Sequence, residues 1–386
     1  LGGVFSLPLP LQSVTLLVFR GSMKIKIICF TLGVIAIYIF ITNHAETVIP
    51  KAPYNQGVDI IKTIEPIQIA GYKVFNAGIL PLKEGYLFVS RRRGDSFLDS
   101  LWKKYVLKEN IKGLTIGELD KNFKETSQEK TEYKSLENQS GGEVQYIDAR
   151  LVKVKEDIYM VYCRQKNSPN RLHSCASLYL AKLEKINNCW SVTRDVPIIF
   201  EQGEEFYQKG LVQKGFEKNW MPFVSNDELF FIYLMEPEHV ILKADPISGK
   251  ALVNYRSNNA CLASLGAPRG STPPVFDEEL NEWITLYHYV YPTNRKITNK
   301  KVDAYFFEGY TFSKDPPYKV LRKSNGPIIG QSVYKNFHKI IFPTTLLRDG
   351  DDYLIFYGDD DVTNKMARIS RSDLIKNMKE ARKLHE

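Results

Sequence analysis

The chain has 386 residues, 44% of them hydrophobic and 25% charged, the composition of a globular protein long enough to bury a full core. Its formal net charge of +8 is spread along the chain rather than massed, which favours an anionic ligand; no nucleic-acid-binding motif is present, so nucleic acid is not an expected partner. The 22 Tyr and 21 Phe favour strands over helices.

Residues 1–22 form an upstream segment expected to lack structure. Met23, Lys24 and Lys26 then precede an uncharged apolar run, 27–41. At about 15 residues the run is shorter than the roughly 20 of a full helical span, and it reads as a signal-peptide core or a short signal anchor over 23–45. Asn43-His44-Ala45 is a poor cleavage site, which favours an anchor helix through the membrane. Lys24 and Lys26 would stay cytoplasmic. The expected product is a single-pass type II protein whose catalytic domain is lumenal or extracellular; cleavage would make it secreted. Residues 46–69 read as a linker, 70–370 as one repeat domain with an exposed polar loop near 119–142, and 371–386 as a C-terminal helix, with Leu374, Met378 and Leu384 at near-helical spacing.

Five cysteines are present, with Cys29 in the apolar run. Cys163 and Cys175 lie symmetrically about Pro169 in a strand–turn–strand stretch, so they either bridge across a hairpin or remain free with Cys189 and Cys261. Their spacing does not suggest zinc. Asn138-Gln139-Ser140 is a glycosylation sequon.

Within 70–370, five segments repeat an acidic or turn residue followed by a short apolar strand: Glu84–Arg91, Glu156–Arg164, Asp227–Met235, Asn281–Tyr289 and Asp351–Asp359. Aligned on Ser90, Tyr162, Tyr233, Tyr287 and Tyr357, they lie 72, 71, 54 and 70 residues apart. Such periods mark propellers and arrays. Fourteen residues before each anchor stands a polar, Gly- or Pro-marked motif: Asn76, Asp148, Asn219, Pro273 and Pro343. A motif that opens one strand of a hairpin lies beside the end of the strand running back, and in a propeller the innermost strands converge on one axis. The expected fold is therefore all-β, a five-bladed β-propeller behind an N-terminal hydrophobic signal or anchor helix, with a central pocket lined by the motifs. The short 54-residue gap predicts a fourth blade with trimmed outer strands or loops.

Read in order, the motifs resemble those of glycoside hydrolase family 130, the β-mannoside phosphorylases and hydrolases, and of the related mannosyltransferase/phosphorylase propellers. The correspondence runs through Phe75-Asn76-Ala77-Gly78 with Arg91-Arg92-Arg93, Ile147-Asp148-Ala149-Arg150, Thr272-Pro273-Pro274 with Tyr287-His288-Tyr289, and Asp315-Pro316 through Arg322-Lys323-Ser324 to Pro327-Ile328-Ile329. It closes on Phe342-Pro343 with Tyr357-Gly358-Asp359-Asp360-Asp361. Roughly residues 70–375 are covered. The resemblance implies an enzyme of β-mannosides, by hydrolysis, phosphorolysis or transfer, acting on an oligosaccharide or glycan. No cofactor is expected beyond inorganic phosphate or a sugar phosphate as co-substrate.

Inverting cleavage needs one acid for the leaving oxygen and a nucleophile on the opposite face. The resemblance assigns the acid to Asp148; Arg150, two positions on, is expected on the same strand face, where the two would otherwise form a structural ion pair. Asn76, Arg91, Arg150, Asn219, Trp220, Tyr287 and Asp361 are the expected sugar-binding residues, with Trp220 either stacking on a sugar or filling the core. Lys218, Arg269 and His288 are the expected anion site. The family's phosphorylases place arginines in the third-blade region, where this chain has Phe216-Glu217-Lys218-Asn219-Trp220. Asp359-Asp360-Asp361 is too short a motif to imply a metal without a doubly wound nucleotide-binding pattern beside it, and no metal is expected. The alternatives are a membrane-anchored mannosyltransferase that builds glycan and, from another class, a non-catalytic propeller that binds glycan or protein.

Overall fold

The computed structural model describes residues 47–48, 61–67, 69, 73–93, 113–126, 131–133, 143–167, 175–259, 267–295, 301–328 and 340–381. The strands run in chain order as β1 (Thr47–Val48), β2 (Ile61–Pro66), β3 (Lys73–Leu82), β4 (Gly85–Arg93), β5 (Gly113–Leu119), β6 (Thr131–Tyr133), β7 (Glu143–Val154), β8 (Asp157–Asn167), β9 (Cys175–Ile186) and β10 (Cys189–Pro197). After helix α1 (Gly203–Gln208) come β11 (Met221–Ser225), β12 (Glu228–Leu234), β13 (Glu238–Ala244), β14 (Ala251–Asn258), β15 (Arg269–Gly270), β16 (Val275–Asp277), β17 (Glu282–Arg295), β18 (Lys301–Ser313) and β19 (Val320–Ser324). The chain ends through β20 (Ile341–Asp349), β21 (Asp352–Asp359), β22 (Thr363–Ser370), α2 (Arg371–Lys376) and β23 (Met378–Glu380).

These strands make five antiparallel sheets, the five blades: β3–β6, β7–β10, β11–β14, a fourth built on β15 to β19, and β20–β22. Two pairings between strands far apart in sequence stitch the ring. β2 pairs with β22 and becomes the outer strand of blade five, and β23 pairs with β19 in blade four. Both strands fall where the sequence reads as something else: 61–66 in the linker, and 378–380 in the C-terminal helix, of which α2 is the helical part. β6 likewise adds a strand to blade one inside the stretch read as an exposed loop.

Apolar seams fill the spaces between neighbouring blades, as in stacked sheets. Ala77, Ile79 and Phe88 meet Leu354 and Phe356 between blades one and five. Leu87 and Val89 meet Leu151 and Met160 between blades one and two, and Val161 meets Phe231 and Leu242 between blades two and three. The largest seam joins blades three, four and five through Phe223, Tyr289, Phe306 and Tyr353. All five anchors, Ser90, Tyr162, Tyr233, Tyr287 and Tyr357, are buried, which is why the repeat is strongest there.

The fourth blade is not trimmed. Its β17 and β18 are the longest strands described, at 14 and 13 residues. The short gap reflects compact hairpins through β12, β13 and β14 in blade three, and the split of the first strand of blade four into β15 and β16.

Cys163 and Cys175 are free. β8 and β9 pair antiparallel, but in a register that sets Cys163 opposite Leu178 and Cys175 opposite Lys166. Cys29, Cys261, the sequon at Asn138 and the apolar run 27–41 lie outside the described residues. Among the described residues no helix is long and apolar enough to cross a membrane.

One buried group makes stability depend on pH. His239 is fully buried; its Nδ1 meets the Tyr318 carbonyl at 2.7 Å and its Nε2 the Tyr310 hydroxyl at 3.1 Å. Burial pulls its pKa down to about 4. Because the unfolded imidazole titrates near 6.5, the unfolded chain binds the extra proton over this window. The contribution is therefore complete above about pH 6.5 and is lost as pH falls through 4, about 3 kcal/mol in all. Urea unfolding at pH 7 and pH 4.5 should show this loss in the wild-type protein and a smaller one in His239→Asn.

Candidate active site at the propeller axis

The polar motifs are conformational devices before they are chemical ones. In blade one the register steps from Phe75↔Arg91 to Gly78↔Val89, so Asn76 and Ala77 bulge opposite the anchor Ser90. In blade two it steps from Ile147↔Cys163 to Arg150↔Val161, so Asp148 and Ala149 bulge opposite the anchor Tyr162. Asn76, Asp148 and Asn219 all take left-handed backbone, with φ of 55°, 56° and 65°, a region that Asn and Asp enter more readily than other non-glycine residues. A bulge also re-aims side chains and bends its strand. In blades one and two the 14-residue offset is thus the spacing between a bulged residue and the anchor across from it; in blade five Pro343 pairs directly with the anchor Tyr357 and the bulge falls on Thr344.

Glycines let neighbouring blades close on the axis. A Cβ on Gly78 would overlap the Ala149 carbonyl of blade two, one on Gly270 the Asn219 carbonyl of blade three, and one on Gly358 the Asn76 side-chain oxygen of blade one. Gly358→Ala should therefore displace the Asn76 amide and destabilise the fold by roughly 1–3 kcal/mol. A urea midpoint equal to wild type would show that the blades do not meet this closely.

Most of the expected site residues meet here. Asn76 Nδ2 donates to Asp361 Oδ1 at 3.4 Å, joining blades one and five. Asp148 exposes its side chain in part, and its carboxylate has no hydrogen-bond or ion-pair partner among the described residues. Arg150 is 1% exposed. Its Nε donates to the Ser271 carbonyl, its Nη1 donates to the Asp148 carbonyl at 2.8 Å, and its Nη2 is buried with no acceptor. The bulge breaks the same-face relation expected of Asp148 and Arg150. The arginine reaches back to the aspartate's backbone rather than to its carboxylate.

Further cations surround this pair. Lys218 Nζ lies 4.9 Å from the Phe216 ring centroid, and Arg269 is exposed on β15, opposite His288. Neither has a carboxylate partner among the described residues. Arg91 lies over Phe75 and donates to Gln145 Oε1 at 2.8 Å. The grouping is visible in one buried thiol: burial and the Asp148 charge push Cys163 up to about 12, against the opposing pull of Lys218, Arg150 and Arg91.

Three expected ligand-binding residues sit elsewhere or act differently. Tyr287 is buried in the seam of blades three to five and donates to Glu308 Oε2 at 2.6 Å. Trp220 takes the core option: it packs edge-on against Phe200, Phe231 and Tyr233 and donates to Glu217 Oε2 at 3.1 Å. His288 is at the axis but only 1% exposed, and burial together with Arg269, Arg150 and Lys218 holds it well below the usual imidazole range. It is a neutral group and not a cationic anion ligand.

Residues the sequence reading passed over complete the axis. Asn364 accepts from the Ala77 N–H and donates to the Val74 carbonyl and Ser90 Oγ, latching blade five to blade one. Ser271 contacts both Arg150 and His288. It stands inside the Arg269-Gly270-Ser271-Thr272-Pro273-Pro274 motif, which was its only signal. In the Asp triplet, Asp359 pairs with Lys365 and Asp360 accepts from the Ile340 N–H. Among the described residues, no group of three His, Cys, Asp or Glu side chains is arranged to hold a metal. A separate groove of about 850 Å³ lies between blades two and three, lined by Tyr159, Lys182, Arg194, Asp245 and Leu252, away from the convergent motifs.

No family model and no curated protein sequence matches the chain. Its structure is similar to a glycosyl hydrolase from Bacteroides ovatus, with a TM-score of 0.51 and 12% identity over 85% of this chain and 97% of that one. A candidate glycoside hydrolase from Parabacteroides distasonis ATCC 8503 gives the same TM-score, identity and coverage. A β-1,2-mannobiose phosphorylase from Listeria innocua, solved with β-1,2-mannobiose, gives a TM-score of 0.49 at 13% identity over 85% and 98% of the two chains. At these identities the likeness is one of fold.

Proposed function

We propose that this chain is a carbohydrate-active enzyme that cleaves or transfers a β-mannosyl unit in the axial pocket, on the pattern of glycoside hydrolase family 130. The observation that carries the reading is the Asp148 carboxylate, without a hydrogen-bond or ion-pair partner among the described residues, beside the buried Arg150, whose Nη2 has no acceptor among them. Buried charges and donors normally have partners. A pocket that leaves both open is built for a ligand that brings acceptors and a proton-accepting oxygen.

In the proposed reaction the bond between the mannosyl anomeric carbon and the leaving oxygen breaks. Asp148 supplies the proton to that oxygen, directly or through a sugar hydroxyl, and an oxygen of phosphate or water bonds to the anomeric carbon from the opposite face. Lys218, Arg269 and Arg150 favour an anionic partner through charge-assisted hydrogen bonds. They therefore favour phosphate as nucleophile, or a phosphorylated mannosyl donor, over plain hydrolysis. Asn76, Asp361 and Asn219 supply the amide and carboxylate groups that hold sugar hydroxyls. The anchored type II placement read from residues 23–45 belongs to this proposal, and sequencing the mature N-terminus tests it.

The full chain should be incubated with β-mannobiose plus inorganic phosphate, with mannose 1-phosphate, and with GDP-mannose, each with a mannosyl acceptor. Turnover of a phosphorylated donor, or phosphate-dependent cleavage, supports the reading. If none of these is turned over while the chain still binds mannan, the non-enzymatic propeller replaces it.

A further inference from the structure

We propose that Ser271 and His288 are positioning residues for Arg150, and that together they aim its Nη2 group, which carries two N–H donors and has no acceptor among the described residues. The proposal rests on the axial-pocket reading above, but its structural half is tested without a ligand.

Arg150 reaches from β7 of blade two to the Ser271 carbonyl in blade four, and Nη1 is tied to the Asp148 carbonyl. A planar guanidinium held at two points has a fixed orientation. The direction of Nη2 therefore depends on where the Ser271 carbonyl points. The peptide that carries that carbonyl is held on its other side by the Thr272 N–H, which donates to the Leu286 carbonyl at 3.2 Å. Ser271 lies between β15 and β16, where the ladder with β17 steps from Gly270↔Tyr287 to Val275↔Ile284. The Ser271 side chain adds the second hold: Ser271 Oγ and His288 Nδ1 share a hydrogen bond of 2.8 Å, with both residues buried.

His288 is a firm support. Its ring lies parallel to Tyr305, with centroids 5.7 Å apart and an interplanar angle of 12°, and meets Phe342 edge-on at 4.9 Å. Phe342 also faces the Arg150 guanidinium, 5.7 Å from its ring centroid. Blades two, four and five thus contribute to one rigid unit around Arg150. Because the imidazole is neutral, the unit buries a single positive charge, and the attraction of that charge is directed toward the ligand.

The test uses the full chain. The exchange rate of the Arg150 Nε–H, identified as the slowly exchanging arginine signal missing from Arg150→Lys, is measured by nitrogen-edited NMR. Ser271→Ala should accelerate it at least about tenfold, and Ser271→Thr, which keeps the hydroxyl, should restore the wild-type rate. Titration with inorganic phosphate should show affinity falling by about tenfold in Ser271→Ala and recovering in Ser271→Thr. An unchanged Nε–H exchange rate in Ser271→Ala overturns the proposal, whether or not phosphate binds. If the exchange rates change as expected but the wild-type chain binds no phosphate, the positioning stands and the anion-binding reading of the pocket fails.

Discussion

Asp148→Asn lowers turnover of whichever mannosyl donor the protein uses by roughly 10²–10⁴-fold, the usual share of a general acid. The substitution suits the position because Asn, like Asp, accepts the left-handed backbone that this residue adopts at φ 56°. It keeps the bulge, the Arg150 contact to the backbone carbonyl and the size of the side chain, and removes only the transferable proton. Phosphate affinity should survive, since the carboxylate carries no hydrogen bond within the pocket. Steady-state kinetics with phosphate titration by calorimetry separates the two effects. Unchanged turnover would remove Asp148 from the chemistry; lost phosphate binding together with lost turnover would make it a structural residue.

Asp277→Ala should cost about 3–5 kcal/mol, the largest stability loss expected of a single substitution here. Asp277 ends β16 in blade four, and its side chain is 2% exposed. It accepts from Arg371 Nε and Nη2, from the Tyr353 hydroxyl at 2.6 Å, from Arg348 Nη1 and from the Leu280 N–H. It therefore ties blade four to blade five and to the start of α2. Arg371 and Tyr353 outweigh its burial and hold it down to about 2. The lowered value means that this contribution is present above the ordinary carboxylate pKa and disappears as pH falls through 2. Removing the carboxylate leaves the buried Tyr353 hydroxyl without its acceptor and Arg371 with Glu279 alone. Urea unfolding at pH 7 measures the loss; a change below about 1 kcal/mol would show that solvent replaces these bonds freely.

The sequence carries the fold through a feature that does not depend on tertiary contacts. A buried anchor and a bulge opposite it recur in one hairpin, and their spacing is fixed by local geometry. What links blades is not written locally. Ile61 pairs with Ile369, and Asn364 bonds to Ala77; neither partner marks the other in the chain. At the site, strand alternation was the missing constraint. Tyr287 and His288 are neighbours on one strand, so only one of them can face the axis. Tyr287 is directed into the seam and His288 to the axis. The Cys163–Cys175 bridge depended on a turn centre that the true register shifts, and Ser271 became visible only once three blades were placed around Arg150.

The most direct test is a crystal structure of the full chain soaked with mannose 1-phosphate. The account predicts the phosphoryl group within hydrogen-bonding distance of Arg150 Nη2 and Lys218 Nζ, with the mannosyl ring beside the Asp148 carboxylate. Ligand bound in the groove between blades two and three, or an empty axis at saturating ligand, would contradict it.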